Sequence, residues 1–333
     1  MEEHMQNRDF RLSRRAFAAG VGAAAAVGTG MLPTAPALAK APLGGKQLPG
    51  AARMKVGNIE VTALCDGFTK VSEKLFPKSD EARAKELRAA AFLKPTGEIP
   101  IPVNAFLVNT GDRLILIDAG NALNYGPTMG HLPDALKAAD IEPEQIDAVL
   151  VTHVHPDHTN GLLTDKGARA FPKAELVMQK AEHDFWNDAD KLNGASPVMK
   201  RLLDMALPVF KPYTKQTRLF EGAVDLFPGV RSVPLFGHTP GHTGYMITSG
   251  ADSLFVWGDI VHFAPFQFAQ PEWSIVYDRN PEAAIATRKR TLDMVATDKI
   301  AVVGVHLPFP GKGHVVKAGS GYQFVPTHFE PAL

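Results

Sequence analysis

The 333-residue sequence carries a single cysteine, Cys65, so no disulfide can form within the chain. That excludes a fold stapled by cross-links and leaves stability to a packed core. Because Cys65 ends the apolar run that begins at Val61, it reads as a small buried hydrophobe rather than a nucleophile. Net charge is missing too: 35 basic and 35 acidic residues cancel, and like charges form no run. A nucleic acid or an anionic membrane calls for a clustered positive field, so neither partner is expected, and substrates held mainly by charge are disfavoured. Strongly apolar stretches of the ~20 residues that a membrane span needs are also lacking. The nearest, Ala18 to Thr29, is a weakly apolar Ala/Gly/Val segment with Pro33 and Pro36 behind it, so no stable membrane insertion is expected. Beyond that segment there is neither a repeat of fixed short period nor a low-complexity tract.

The segment itself has a different logic. Leu12-Ser13-Arg14-Arg15-Ala16-Phe17 pairs two arginines ahead of it, and Ala37-Leu38-Ala39 offers a small-residue cleavage site after it. This resembles a twin-arginine export signal, with Ala18 and Ala19 in place of the usual Leu-Lys. The expectation is a cleaved signal over 1–39, a periplasmic or secreted destination, a flexible leader over 40–53, and one domain over 54–333. Removing 1–39 takes away four arginines and three acids, which moves the formal charge from zero to −1.

The remaining chain, within a sequence of 45% hydrophobic and 21% charged residues, is long enough to bury a large core. Met54 to Cys65 predicts a hairpin turning at Gly57-Asn58, and Val103 to Asn109 with Leu114 to Asp118 predicts a second around Thr110-Gly111-Asp112. Helices are expected over Asp80 to Phe92, Pro133 to Ala139, Lys180 to Asp188, Pro197 to Ala206, and from Asn280-Pro281 to about Thr297. Further strands are expected at Ala148 to Thr152, Ala174 to Met178, Thr217 to Phe220, Val230 to Phe236, Tyr245 to Thr248, Ser253 to Trp257 and Ile300 to Val305. Blocks of strands with helices between them imply an α/β chain of stacked sheets with helices outside.

What the sequence has in abundance is histidine in one place. His153-Val154-His155-Pro156-Asp157-His158 packs three imidazoles and a carboxylate into six residues, straight after the apolar run Ile146 to Val151. A strand ending in a turn would throw all four side chains into one small volume, which suits zinc or another borderline divalent ion. His242 lies in the turn Gly237-His238-Thr239-Pro240-Gly241-His242, Asp259 follows the strand ending at Trp257, and His306 follows the strand ending at Val305. Side chains from the ends of several strands converge on one sheet edge.

The ordered set His153-x-His155-x-Asp157-His158, His242, Asp259 and His306 resembles the metallo-β-lactamase superfamily. The resemblance implies a four-layer αββα sandwich with two metal ions, zinc foremost. It assigns His153, His155 and His242 to one ion, Asp157, His158 and His306 to the other, and Asp259 to a bridge between them. Asp157 and Asp259 would act in catalysis as ligands around a metal-bridging hydroxide. True β-lactamases of this fold lack the bridging carboxylate, so Asp259 points instead to the lactonase, thioesterase, phosphodiesterase and phosphotriesterase branch. Within it, Ala105-Phe106-Leu107-Val108-Asn109-Thr110-Gly111, Glu182-x-Asp184-Phe185-Trp186 and His306-Leu307-x-Phe309-Pro310-Gly311 look like the methyl parathion hydrolase family and its lactonase relatives. Departures fall at Val261-His262 and around Lys200 to Met205.

The expected enzyme is a dinuclear metal hydrolase of neutral, partly apolar lactones, esters or organophosphate triesters. Its rivals are a thioester or phosphodiester hydrolase, an iron-dependent persulfide dioxygenase, and a metal-binding protein without catalysis. The resemblance places Tyr125 and Trp186 at the pocket mouth and implies a homodimer. Phe263 and Phe266, just after Asp259, are further substrate-binding candidates, although aromatics are usually core. Asp118, ending Leu114 to Asp118, either orients a ligand imidazole or is a plain strand-end turn residue. His238 reads as a loop histidine near the ligands, His314 as structural, and His4, His131, His183, His262 and His328 as surface or packing residues.

Overall fold

The computed structural model describes residues 43–122, 126–188 and 197–328. The signal-like segment 1–39 and the pocket candidate Tyr125 lie outside the described residues. The chain divides into two units, Met1–Gln47 and Leu48–Leu333. Of the first, residues 43–47 are exposed and carry no helix or strand.

The second unit begins with the expected hairpin. Strand β1 (Ala51–Val56) pairs antiparallel with β2 (Ile59–Ser72), turning at Gly57-Asn58. The leader is therefore shorter than expected: Ala51, Ala52 and Arg53 already pair with Leu64, Ala63 and Thr62. From β2 the sheet runs through β3 (Glu98–Asn109), β4 (Leu114–Ile117), β5 (Ala148–Leu150), β6 (Glu175–Gln179) and β7 (Thr217–Phe220), in sequence order. Pairing is antiparallel up to β4 and parallel from β4 to β7. Parallel strands need crossovers, and helices α2 (Leu132–Ala138), α4 (Lys180–Trp186) and α5 (Pro197–Ala206) occupy them. Helix α1 (Glu81–Ala90) sits between β2 and β3, capped by the Asp80 side chain on Arg83 N as the sequence suggests.

The second sheet runs in the order β14-β13-β12-β11-β10-β9-β8. Its strands are β8 (Asp225–Phe227), β9 (Val230–Pro234), β10 (Thr243–Ser249), β11 (Asp252–Val256), β12 (Ala301–Val303), β13 (Lys312–Ala318) and β14 (Gly321–Pro326). Only β11 and β12 run parallel, and the crossover between them contains helix α7 (Pro281–Thr297) with Asn280 as its N-cap. Strands β8, β13 and β14 have no counterpart in the sequence reading. The β13 segment, Lys312 to Ala318, mixes Lys, Gly and His, and the alternation there is too weak to announce a strand.

Three cores make the layers. Val61, Val103, Phe106, Ile115 and Val177 from the first sheet meet Val230, Tyr245, Ile247 and Val256 from the second in a shared central core. On the outer face of the first sheet, Leu116, Val149 and Leu176 pack under Leu132, Leu136 and Trp186. On that of the second, Phe255 and Val302 pack under Leu292 and Val295. Helix, sheet, sheet, helix is the expected four-layer sandwich. Two polar side chains tie the sheets together near one end of this core. Tyr245 donates its hydroxyl to Val151 O at 2.7 Å, and the Asn104 amide donates to Val305 O and Leu307 O at 3.0 and 2.8 Å. Both anchor points adjoin histidine-bearing loops.

Candidate metal centre

Most donor groups of the site sit just beyond a strand. Asp118 follows β4, the His153–His158 loop follows β5, Asp259 follows β11, and His306 lies beyond β12; His242 comes immediately before β10. Pro156 occupies the first position of the single-turn helix α3 (Pro156–Thr159), which presents Asp157 and His158 from adjacent positions. Both sheets contribute.

Asp259 is the hub. Its Oδ2 lies 3.3 Å from His238 Nε2, 3.6 Å from His153 Nε2 and 3.2 Å from His306 Nε2, while Oδ1 lies 3.2 Å from His158 Nε2. Three overlapping sets of donor atoms surround it. One comprises His153, His155, His238 and Asp259; another comprises Asp157, His158 and His306; a third comprises Asp259, His262 and His306, with every donor atom of a set within 4.8 Å of the rest. Asp259 is common to the first and the third set. Asp157 stands at the open side, its Oδ2 3.7 Å from His158 Nε2 and 3.6 Å from His306 Nε2.

The ring orientations are fixed from behind. His158 Nδ1 faces Asp118 Oδ2 at 2.8 Å, and Asp118 also accepts the Thr152 N–H at 2.8 Å and the Thr152 hydroxyl at 2.8 Å. Of the two readings of Asp118, the geometry selects the orienting one. His306 Nδ1 is held by Pro102 O at 2.8 Å and His242 Nδ1 by Leu235 O at 3.0 Å. Each such contact leaves the Nε2 lone pair facing inward, the usual backing of a metal-bound histidine.

The donor set fits divalent ions on a direct test. His155 Nε2, His158 Nε2 and Asp259 Oδ1 are buried and have no hydrogen-bond partner. Buried polar atoms without partners are costly, and a cation bound among them would offset that cost. Charge states divide the imidazoles. Burial pushes His153 and His155 well below the ordinary histidine range, and His242 down to about 3, so these are neutral at pH 7 as ligands must be. In the metal-free protein burial would also lower His158, His238 and His306, but the neighbouring carboxylates, Asp259 foremost, raise them. Burial alone would raise Asp259, but the surrounding imidazoles, led by His158 and His306, hold it well below the usual carboxylate range.

Several sequence expectations change. His242 is fully buried, its Nε2 accepts the Asp259 N–H at 3.0 Å, and it is absent from the three donor sets. His238 stands in the first set beside it, its Nε2 3.1 Å from His155 Nδ1 and its Nδ1 2.8 Å from Asp278 Oδ1. The Gly237–His242 turn thus brings its first histidine, as well as its second, into the site. His262 is no surface or packing residue. It is 3% exposed, its Nε2 is 3.1 Å from Asp259 Oδ2 without forming a hydrogen bond, and it stacks on His306 with ring centroids 5.3 Å apart. Its position three residues after Asp259 was the one available signal.

The pocket aromatics are corrected as well. Trp186 is 1% exposed and donates its indole N–H to Glu182 Oε1 at 2.6 Å; it packs beneath the first sheet and does not line the cavity. Phe263 and Phe266 belong to a buried cluster with Phe76, Trp273 and Ile275, in edge-on contacts such as the 4.8 Å pair Phe263–Phe266. Edge-to-face packing and burial explain their presence, and they support the pocket wall from behind. The cavity itself, about 320 Å³, opens over Asp157, Asp259, His262 and His306. Its wall is aliphatic, from Val71, Leu75, Ile101, Met129, Leu202 and Ile275, with Lys70, Asn121 and Tyr277 as polar points. These contacts come from segments far apart in the chain, and no local pattern marks them.

Known proteins show the same plan. Solved structures of AidC, a dizinc quorum-quenching lactonase in complex with its product, and of AbOPH, a hydrolase of the β-lactamase superfamily, share 27% and 33% of their residues with this chain. Each covers 86% of this chain and 100% of its own, with TM-scores of 0.80 and 0.81. An N-acyl homoserine lactonase of Bacillus cereus is 21% identical over 255 residues, covering 71% of this chain and 90% of the lactonase. A second, from Bacillus sp, is 25% identical over 174 residues; the alignment covers 46% of this chain and 62% of that lactonase. Residues 99–306, from the start of β3 to the last histidine of the site, match the Metallo-beta-lactamase superfamily. With its paired sheets, its strand-end histidines and this match, the chain belongs to the metallo-β-lactamase superfamily.

Proposed function

We propose that this protein is a dinuclear metal-dependent hydrolase of neutral lactones and esters, with acyl lactones as the leading substrate class. The carrying observation is Asp259, a buried carboxylate shared between two donor sets at the floor of an aliphatic cavity. Two divalent ions, zinc foremost, would supply an activated water near neutral pH and an electrophilic pull on the carbonyl oxygen. His153, His155 and His242, with His238 at hand, would hold one ion; Asp157, His158 and His306 would hold the other. Asp259 would join them.

The chain's own groups suit an uncharged, partly apolar substrate. Among the described lining residues, Lys70 is the one fixed cation, and the aliphatic wall accepts an acyl or aryl group. Tyr277 reaches the cavity with its phenol pushed above the usual range, by burial first and Asp157 second. It stays protonated at pH 7 and can donate a hydrogen bond to a substrate oxygen. Organophosphate triesters fit the same requirements and belong to the proposal as a second substrate class, on the motif resemblance. Twin-arginine export and a homodimer also belong to it; N-terminal sequencing of extracytoplasmic protein and sedimentation would check them.

The test is a panel of an aryl lactone, an acyl-homoserine lactone, methyl paraoxon, a thioester and a β-lactam, run beside elemental analysis. The expected result is about two divalent ions per chain and fastest turnover of a lactone. Turnover no greater than that of an Asp259→Ala variant on every substrate would end the hydrolase reading.

A further inference from the structure

Helix α4 contributes a buried carboxylate that the chemistry does not use. Glu182 is 1% exposed, and both its oxygens are doubly occupied. Oε1 accepts the Val154 N–H at 2.8 Å and the Trp186 indole N–H at 2.6 Å. Oε2 accepts the Thr239 hydroxyl at 2.7 Å and the Gly241 N–H at 2.7 Å. The donors are unusual in where they come from. Val154 lies between His153 and His155, in the loop of the first sheet; Thr239 and Gly241 lead into His242, at the edge of the second. One carboxylate therefore bolts the two histidine-bearing loops to each other and to the helix.

The approach is close as well as bonded. A Cβ added at Gly241 would collide with the backbone nitrogen of Glu182 and lie 2.5 Å from its Cβ, so the turn rests directly on the start of the helix. The imidazoles of the second half are held differently: His158 by Asp118 and His306 by Pro102.

We propose that Glu182 is a positioning residue that sets the spacing of the His153/His155 loop against the His238–His242 turn, and so governs the affinity of one of the two metal ions. This rests on the dinuclear reading above. A glutamine at 182 keeps the shape but turns an NH2 group toward one of the two donor pairs. Neither Val154, Trp186 nor Gly241 can reverse its N–H; only the Thr239 hydroxyl can rotate to accept. One loop is then pushed away from the other.

Zinc binding to the full chain, measured by chelator competition and elemental analysis, tests this for wild type, Glu182→Gln and Thr239→Val. Circular dichroism confirms folding, and the absorption of the cobalt-substituted proteins reads the ligand environment. Wild type should hold two ions. Folded Glu182→Gln should keep one at wild-type affinity and bind the other about 10–100-fold more weakly, the range seen when the supports of metal ligands are removed. Its cobalt spectrum should change for that ion alone. Should Glu182→Gln fail to fold, Thr239→Val, which deletes one donor of four, should weaken the same ion by a smaller factor. Both ions held with wild-type affinity, or both weakened equally, would overturn the assignment of Glu182. A wild-type chain holding no ion would instead overturn the dinuclear reading on which it rests.

Discussion

Replacing Asp118 by asparagine tests the orientation of the site at one atom. Asp118 adopts a left-handed backbone, φ 60°, which asparagine tolerates nearly as well as aspartate, so the fold should survive. The Thr152 N–H can still be accepted by the remaining amide oxygen. The other position becomes an NH2 group facing His158 Nδ1, now 2.8 Å from the carboxylate. Two N–H groups cannot share that contact, so the imidazole must carry its proton on Nε2 instead. Nε2 is the buried, unpartnered nitrogen that faces Asp157 and Asp259, and once protonated it has no lone pair for a cation. The loss is one charge-assisted hydrogen bond, worth about 1.5–3 kcal/mol, which corresponds to roughly 10–150-fold in zinc affinity for that half of the site. Chelator competition gives the affinity, and nitrogen NMR of the imidazole gives the tautomer. An Asp118→Asn chain that binds both ions like wild type, with His158 still protonated at Nδ1, would refute the reasoning.

Other substitutions read other parts of the molecule. Trp186→Phe deletes the indole hydrogen bond but retains most of the packing; urea unfolding should show a loss of about 1–2 kcal/mol, with KM for a lactone unchanged because the ring lies outside the cavity. His262→Leu removes two buried ring nitrogens that have no hydrogen-bond partner, so the metal-free protein should gain roughly 1–2 kcal/mol while kcat/KM falls; a less stable variant would contradict the burial argument. In metal-free protein, burial lowers His238, but Asp259 and Asp278 raise it to about 9. Its folded value exceeds its unfolded one, so its stabilisation is fully present below pH ~6.5 and is lost as pH rises through about 9. His242, held near 3 by burial, has the opposite sign: stability present above pH ~6.5 is lost as pH falls toward 3. Denaturation midpoints from pH 4 to 10 should show both limbs, and His238→Gln should flatten the alkaline one and, by removing the charge that helps to lower His242, soften the acid one as well.

Local chemistry made much of this fold readable. Gly57-Asn58 and Thr110-Gly111-Asp112 are turn sequences between apolar runs, and Asn280-Pro281 is a helix start that needs no tertiary support. Most of the candidate ligands stood out because they follow an apolar strand, and the strand end dictates where the side chain points. What burial decides was not readable. Nothing local separates His262, 3% exposed, from half-buried His183, and only the packed α6 segment (Ala264–Gln267) and its neighbours distinguish them. Trp186 looks like a pocket residue until Glu182 takes its N–H, and Glu182 itself enters the sequence reading only as part of the motif Glu182-x-Asp184-Phe185-Trp186. The cavity wall draws on residues from Lys70 to Tyr277, a convergence that only the tertiary fold creates.

The division of donors between two sheets has a consequence for assembly. Asp118 and the His153–His158 loop belong to one layer, His238, His242, Asp259 and His306 to the other, and neither group alone makes a bridged pair of ion sites. Ion capture would therefore report whether the two layers have closed in register, and ions held there would fasten the two sheets across their own seam.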